Sequence, residues 1–200
     1  MNSERFQTGY DIPTYVKNLR NYRSLVRELL KDAEPEKDAV DAVAAATTAF
    51  HAPVRVTMMT EDWCGDSAAN TPILARLFEN AELEFRVFRG SETPDLKKFY
   101  ADDGATHIPV VSFWDGDGRE LARWIEAPAA VRKRKDAWKN EHPEFMELYR
   151  IQEKDKDAAR RFQVLYREFL QTMAGWYRDE GLWSETTREI VSALENAAEE

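Results

Sequence analysis

Val54-Arg55-Val56-Thr57-Met58-Met59-Thr60-Glu61-Asp62-Trp63-Cys64-Gly65-Asp66-Ser67 is the stretch on which the reading of the fold turns. Its first seven residues are mostly apolar or β-branched and read as a buried strand. Glu61 to Asp66 follows as a short loop carrying Trp63 and Cys64, and helical spacing then runs to about Asn80. A second strand is legible in the strict alternation of Leu83-Glu84-Phe85-Arg86-Val87-Phe88. A short helix over 93–102 leads to Ile108-Pro109 and a strand at 110–114. Asp115-Gly116-Asp117-Gly118 has the turn chemistry of a hairpin, and the chain returns along 120–125.

Helical sequence lies on both sides. Tyr15, Val16, Leu19, Tyr22, Val26, Leu29 and Leu30 fall at helical spacing behind an Asp11 cap and Pro13, which predicts one helix. Pro35 opens a second, alanine-rich helix to about Phe50. After the hairpin, Pro128 begins helical sequence that breaks near Pro143 and reaches Tyr149. Phe162, Leu165, Tyr166, Phe169, Leu170, Met173, Trp176 and Tyr177 then form a wide apolar stripe. This stripe reads as core, with the 15–30 helix as its natural partner. Gly181 interrupts it, and Ser184 can cap a last helix through Ile190, Val191 and Leu194. The predicted organisation is a helical extension over 1–52, an α/β core over 53–126, and a helical segment over 127–200 packed on that core.

Trp63-Cys64-Gly65-Asp66-Ser67 at a strand-to-helix junction resembles the thioredoxin active site, whose pattern there is Trp-Cys-Gly-Pro-Cys. Pro72, eight residues after Cys64, stands where that family has a helix-kinking proline. Ile108-Pro109-Val110 looks like its cis-proline loop. The resemblance spans roughly residues 53–126 and implies a thioredoxin-like mixed sheet flanked by helices, with Pro109 cis. It also implies thiol–disulfide chemistry at Cys64, with Trp63, Gly65, Asp66, His107, Ile108 and Pro109 around a bound substrate. Two departures matter. Ser67 replaces the second, resolving cysteine, and Met58 occupies the place of a buried aspartate thought to help deprotonate that cysteine. Losing both is coherent, because without the second thiol there is no such proton to take.

Helix-start physics bears on Cys64 independently. Unpaired N–H groups and a partial positive charge in the first turn favour a thiolate, while Asp66 opposes it, so a modest lowering of the thiol pKa is expected. The other reading of Cys64 is a small, inert core residue. Ser67 either bonds to the sulfur across one turn or caps backbone amides. His107 either favours the thiolate as an imidazolium or is a solvated loop residue. His51 and His142 have no motif context. Arg132-Lys133-Arg134-Lys135 reads as a solvated helix face.

Composition bounds the function. With 43% hydrophobic residues in 200, the chain can bury a sizeable core. A net charge of -9 lacks the positive field that nucleic-acid binding requires. No apolar run approaches the ~18 residues of a membrane helix, and no secretory signal or myristoylation site is visible, so a cytoplasmic protein without membrane contact is expected. A single cysteine excludes an internal disulfide and a multi-thiolate zinc site. The expected function is therefore monothiol exchange. Cys64 would attack the disulfide of a protein or small molecule, and a low-molecular-weight thiol as co-substrate would resolve the product, with no cofactor. A redox-silent peptide- or protein-binding module is the alternative. Cys-Gly-Asp-Ser also resembles the Cys-Gly-Phe-Ser of monothiol glutaredoxins, which share an iron–sulfur cluster, although Asp66 stands in place of their aromatic residue.

Overall fold

Strands β1 (Arg55–Thr60), β2 (Glu84–Arg89), β3 (Val110–Trp114) and β4 (Glu120–Ile125) form one mixed sheet in the order β2-β1-β3-β4. β1 runs parallel to β2 and antiparallel to β3, which pairs with β4 through the hairpin. In that turn the Asp115 carboxylate accepts the backbone N–H groups of Asp117 and Arg119. The computed structural model describes residues 1–50 and 52–199, so His51 lies outside the described residues. The architecture is a thioredoxin-like mixed α/β sheet flanked by helices, with further helices at both ends.

Ten helices are described: α1 (Ser3–Gln7), α2 (Ile12–Asn18), α3 (Arg23–Asp32), α4 (Lys37–Ala49), α5 (Gly65–Asn80), α6 (Pro94–Asp102), α7 (Ala129–Glu141), α8 (Pro143–Ile151), α9 (Lys156–Arg178) and α10 (Trp183–Ala198). The helix expected through 15–30 is two helices, because Tyr22 takes a left-handed conformation (φ 55°) and turns the chain between Leu19 and Arg23. Asp11 caps α2 as expected, accepting the N–H of Thr14 at 2.8 Å.

The sheet buries both faces. On one, Phe78 of α5 meets Phe85 and Phe113 edge-on, with ring centroids 5.0 and 5.6 Å away. On the other, Leu96 and Tyr100 of α6 join Met59, Phe88, Val110 and Trp114. The polar atoms this second layer buries are paired. Trp114 Nε1 donates to Thr57 Oγ1 at 2.8 Å, and the Tyr100 and Ser112 hydroxyls bond at 2.8 Å. Unpaired, each such group would cost ~1–3 kcal/mol.

The chain divides into two units, residues 1–127 with 183–200, and residues 128–182. In the first, α10 lies against α4, α5 and β4. Its Trp183 indole donates to the Ala69 carbonyl at 2.9 Å and its Thr186 hydroxyl to Asn70 Oδ1 at 2.7 Å. Both bonds brace α5 beside Pro72, whose missing N–H leaves the helical ladder one bond short. In the second unit the aromatic stripe of α9 is covered locally. Phe169 meets Trp138 at 4.7 Å, and Phe162 meets Phe145 at 5.2 Å and Tyr149 at 5.7 Å. The stripe expected to pair with 15–30 is covered within its own unit, and within the first unit α3 packs on α5. The basic run is not a uniformly solvated face either, since Lys135 is buried and Arg134 pairs with Glu180.

The free edge of β2 is closed by Tyr10, which exchanges both backbone hydrogen bonds with Val87 at 2.9 and 2.8 Å. That closeness requires glycine before it. A Cβ on Gly9 would stand 2.7 Å from the Phe88 ring and 2.8 Å from Arg86 Cβ. Gly9→Ala is expected to destabilise the protein by about 1–3 kcal/mol, the usual cost of overpacking, read from the denaturant midpoint at unchanged slope.

Candidate functional site

Cys64 is the N-cap of α5 and keeps an extended backbone (φ -79°, ψ 115°) where β1 gives way to the helix. Its sulfur accepts the Ser67 N–H at 3.4 Å and lies 3.4 Å from the Ile108 carbonyl oxygen, to which the thiol donates. The Ile108–Pro109 peptide is cis. Pro109 is buried, and its carbonyl accepts the N–H of Glu126 at 2.8 Å. The sulfur therefore ties the first turn of α5 to the loop before β3.

Burial and the negative charge of Asp66 push the Cys64 thiol up to about 11, and hydrogen bonding from Ser67 offsets this only in part. This corrects the expected lowering. The helix start does supply an N–H to the sulfur, but a residue only 6% exposed has lost most of the water that would stabilise its anion. At pH 7 the protonated thiol dominates.

Trp63 is 61% exposed and stands open beside the buried sulfur, while Gly65 is buried at the first helical position. The Ser67 hydroxyl bonds to the Thr60 hydroxyl at the end of β1, both groups being buried, while the Ser67 N–H donates to the sulfur. Hydrogen bonding from the Ser67 side chain also lowers the Cys64 pKa, in keeping with the first of its expected roles. Ile108 packs its side chain against the α6 layer and turns its carbonyl to Cys64. His107 is exposed and its Nδ1 bonds to the Thr106 hydroxyl at 2.9 Å. Met58 is fully buried in mid-strand, its sulfur 4.0 Å from the Thr71 hydroxyl of α5. Among the described residues, no group of three or more His, Cys, Asp or Glu side chains is gathered to hold a metal, and no helix is long and apolar enough to cross a membrane.

One pair beside the site is not visible in the motif. Asp62, two residues before Cys64, accepts from Arg89 Nε at 2.7 Å, and both are buried. The other Asp62 oxygen accepts the Arg20 N–H at 3.1 Å, and Arg89 Nη2 donates to the Asn18 carbonyl at 3.1 Å. Arg89 also lies over the rings of Tyr10 at 4.8 Å and Tyr15 at 5.6 Å. The sequence signal was an arginine closing an alternating strand, and its partner depends on how β1 and β2 align.

A thioredoxin family model matches residues 9–139, about two thirds of the chain. The chain belongs to the thioredoxin family. Within the solved structures, this thioredoxin-family chain is similar to a Pseudomonas aeruginosa protein of unknown function, at 16% identity and a TM-score of 0.61. The alignment covers 98% of this chain and 99% of that one, so it takes in the helical additions as well as the sheet. An HIV epitope-scaffold aligns at 19% identity and a TM-score of 0.50, over 66% of this chain and 81% of its own. A DsbH oxidoreductase aligns at 19% identity over 53% and 83%, with a TM-score of 0.29. No curated protein matches.

Since Asp66 is the second cause holding the thiol up, Asp66→Asn should lower the midpoint of Cys64 alkylation against pH by up to about one unit. The wild-type midpoint should lie far above neutrality. Rates measured by intact mass from pH 7 to 12 check both.

Proposed function

We propose that this thioredoxin-family protein carries out thiol–disulfide exchange through Cys64 alone, with an external thiol completing each cycle. The observation that carries the reading is the position of the sulfur, at the N-cap of α5 and against the Ile108 carbonyl beside the cis Pro109. A sulfur there lies next to backbone that an extended substrate can pair with, and the exposed Trp63 offers a wall for it. Substrates on this reading are protein disulfides or small disulfides. The co-substrate is a low-molecular-weight thiol, and no prosthetic group, nucleic acid or membrane takes part.

The chemistry balances with one sulfur. The Cys64 thiolate attacks R–S–S–R′, the S–S bond breaks, R′S⁻ leaves and takes up a proton, and Cys64–S–S–R remains. A second thiolate, R″S⁻, attacks the R sulfur, expels the Cys64 thiolate and leaves R–S–S–R″. Cys64 then regains its proton. The net event moves RS from one thiol to another.

The high thiol pKa sets the rates. Little thiolate is present at pH 7, but each thiolate is more nucleophilic, so attack is slower than for a thiol of pKa 7 by roughly 100-fold. A basic thiolate is also a poor leaving group, which makes the mixed disulfide long-lived. The same burial and raised pKa favour a second reading, a redox-silent binding module that uses Trp63 and the Ile108-Pro109 backbone to hold a peptide.

Intact mass distinguishes the two. Incubated with excess small disulfide at pH 8–9, the protein should gain one adduct, on Cys64, and stop. Added small thiol should discharge it at a rate that rises with thiol concentration, and Cys64→Ser should gain none. Ser67→Cys should shorten the adduct's lifetime through high effective concentration. Failure of wild-type Cys64 to form any adduct where an ordinary exposed thiol does so would leave the binding module as the better account.

A further inference from the structure

We propose that Arg89 and Asp62 are a charge-matched positioning pair for Cys64, in which Arg89, docked by α2 and the residue Tyr10 before it, cancels the field of a carboxylate held two residues from the sulfur. Asp62 is carried by the loop that ends in Cys64, and it is buried where water cannot screen it. Among the described residues its full countercharge at hydrogen-bond distance is Arg89, at 2.7 Å, since the Arg20 guanidinium stands 4.0 Å away and is exposed. Arg89 is fixed from outside the sheet by the Asn18 carbonyl and the Tyr10 and Tyr15 rings. β2 therefore supplies the countercharge, and the helical extension holds it on Asp62 beside the Cys64 loop.

The other charged or titratable groups around the sulfur do not replace this countercharge. Asp66 is an anion, and Glu61 is engaged by the N–H and hydroxyl of Ser91 at 2.6 and 2.9 Å. Glu92 takes Arg89 Nη1 at 3.2 Å and the Tyr10 hydroxyl at 2.9 Å. His107 is exposed and turned to Thr106. Tyr15 of α2 is buried, and its hydroxyl is held protonated chiefly by desolvation and next by Asp62, with Cys64 acting in the same sense, so this one group senses both the carboxylate and the sulfur. The inference rests on the exchange reading for its functional meaning, because it concerns how readily Cys64 ionises to attack.

A positioning role through charge makes a signature that loosening of the loop cannot imitate. Asp62→Asn removes the buried carboxylate and leaves Arg89 with Glu92 alone, which should favour the thiolate. Arg89→Gln leaves Asp62 as an unmatched anion and should oppose it. Loosening would speed both. On the full-length protein, iodoacetamide alkylation at pH 8.5 is expected about 3–10-fold faster in Asp62→Asn and about 3–10-fold slower in Arg89→Gln. The double variant should return to within about twofold of wild type, as should the charge-retaining Asp62→Glu. Acceleration in both single variants, no change in either, or acceleration in Asp62→Glu overturns the proposal. Asp62→Asn is isosteric but keeps one acceptor oxygen for the two N–H groups that Asp62 serves. If Arg89→Gln does not fold, the matter is therefore decided by Asp62→Asn together with Asp62→Glu, and a rate equal to or below wild type in the first, or acceleration in the second, overturns it. Alkylation needs no disulfide. Shifts of the expected signs in a protein that forms no mixed disulfide would uphold the pair while discarding the exchange reading.

Discussion

The Cys64 sulfur has two partners that ask opposite things of it. As N-cap it accepts an N–H from the first turn of α5, which suits an anion, and as a thiol it donates to the Ile108 carbonyl, which only the protonated form can do. Around it the site is nearly dry, so the balance falls to the form that needs no solvation. The thiol thereby also fastens α5 to the loop before β3. Ionising the sulfur would turn that donor into an anion facing a carbonyl oxygen.

Much of the remaining architecture holds the two ends of this contact. α5 runs through Pro72 with one ladder bond missing, and Trp183 and Thr186 of α10 bond to Ala69 and Asn70 just before it. On the strand side, the Thr60–Ser67 hydroxyl pair joins the last residue of β1 to the first turn of α5. Ser67 stands where a resolving cysteine would be, and its hydroxyl is committed to the scaffold. Met58 beneath it is packed as an apolar residue in the strand. The site is built around one sulfur.

The Asp62–Arg89 pair shows how a helical extension becomes part of such a site. Burying two charges is unfavourable unless every lone pair and N–H finds a partner, and here the N-terminal segment supplies the Arg20 N–H and the Asn18 carbonyl. Tyr10 and Gly9 add the edge cover that seats the segment on β2. The extension thus serves three purposes with one run of chain, closing a sheet edge, satisfying a buried ion pair and bordering the reactive loop.

Periodicity and local chemistry in the sequence were enough for the strand–loop–helix unit at Cys64, the 110–125 hairpin and the Asp11 cap, because each depends on residues within a few positions of one another. The place of Pro109 followed from the resemblance to the thioredoxin family. The loss of the resolving thiol was equally plain from Ser67. Tertiary structure alone decided what crosses longer distances. The turn at Tyr22 splits an apolar pattern that is helical on both sides, and a left-handed residue leaves no mark on such periodicity. The stripe on α9 could have met any apolar face of suitable length, and it found one in its own unit. The Cys64 pKa followed the same rule. Its helix start was legible and argued for a lower value, but desolvation is a property of everything packed around the sulfur, and that is fixed only when the chain has folded.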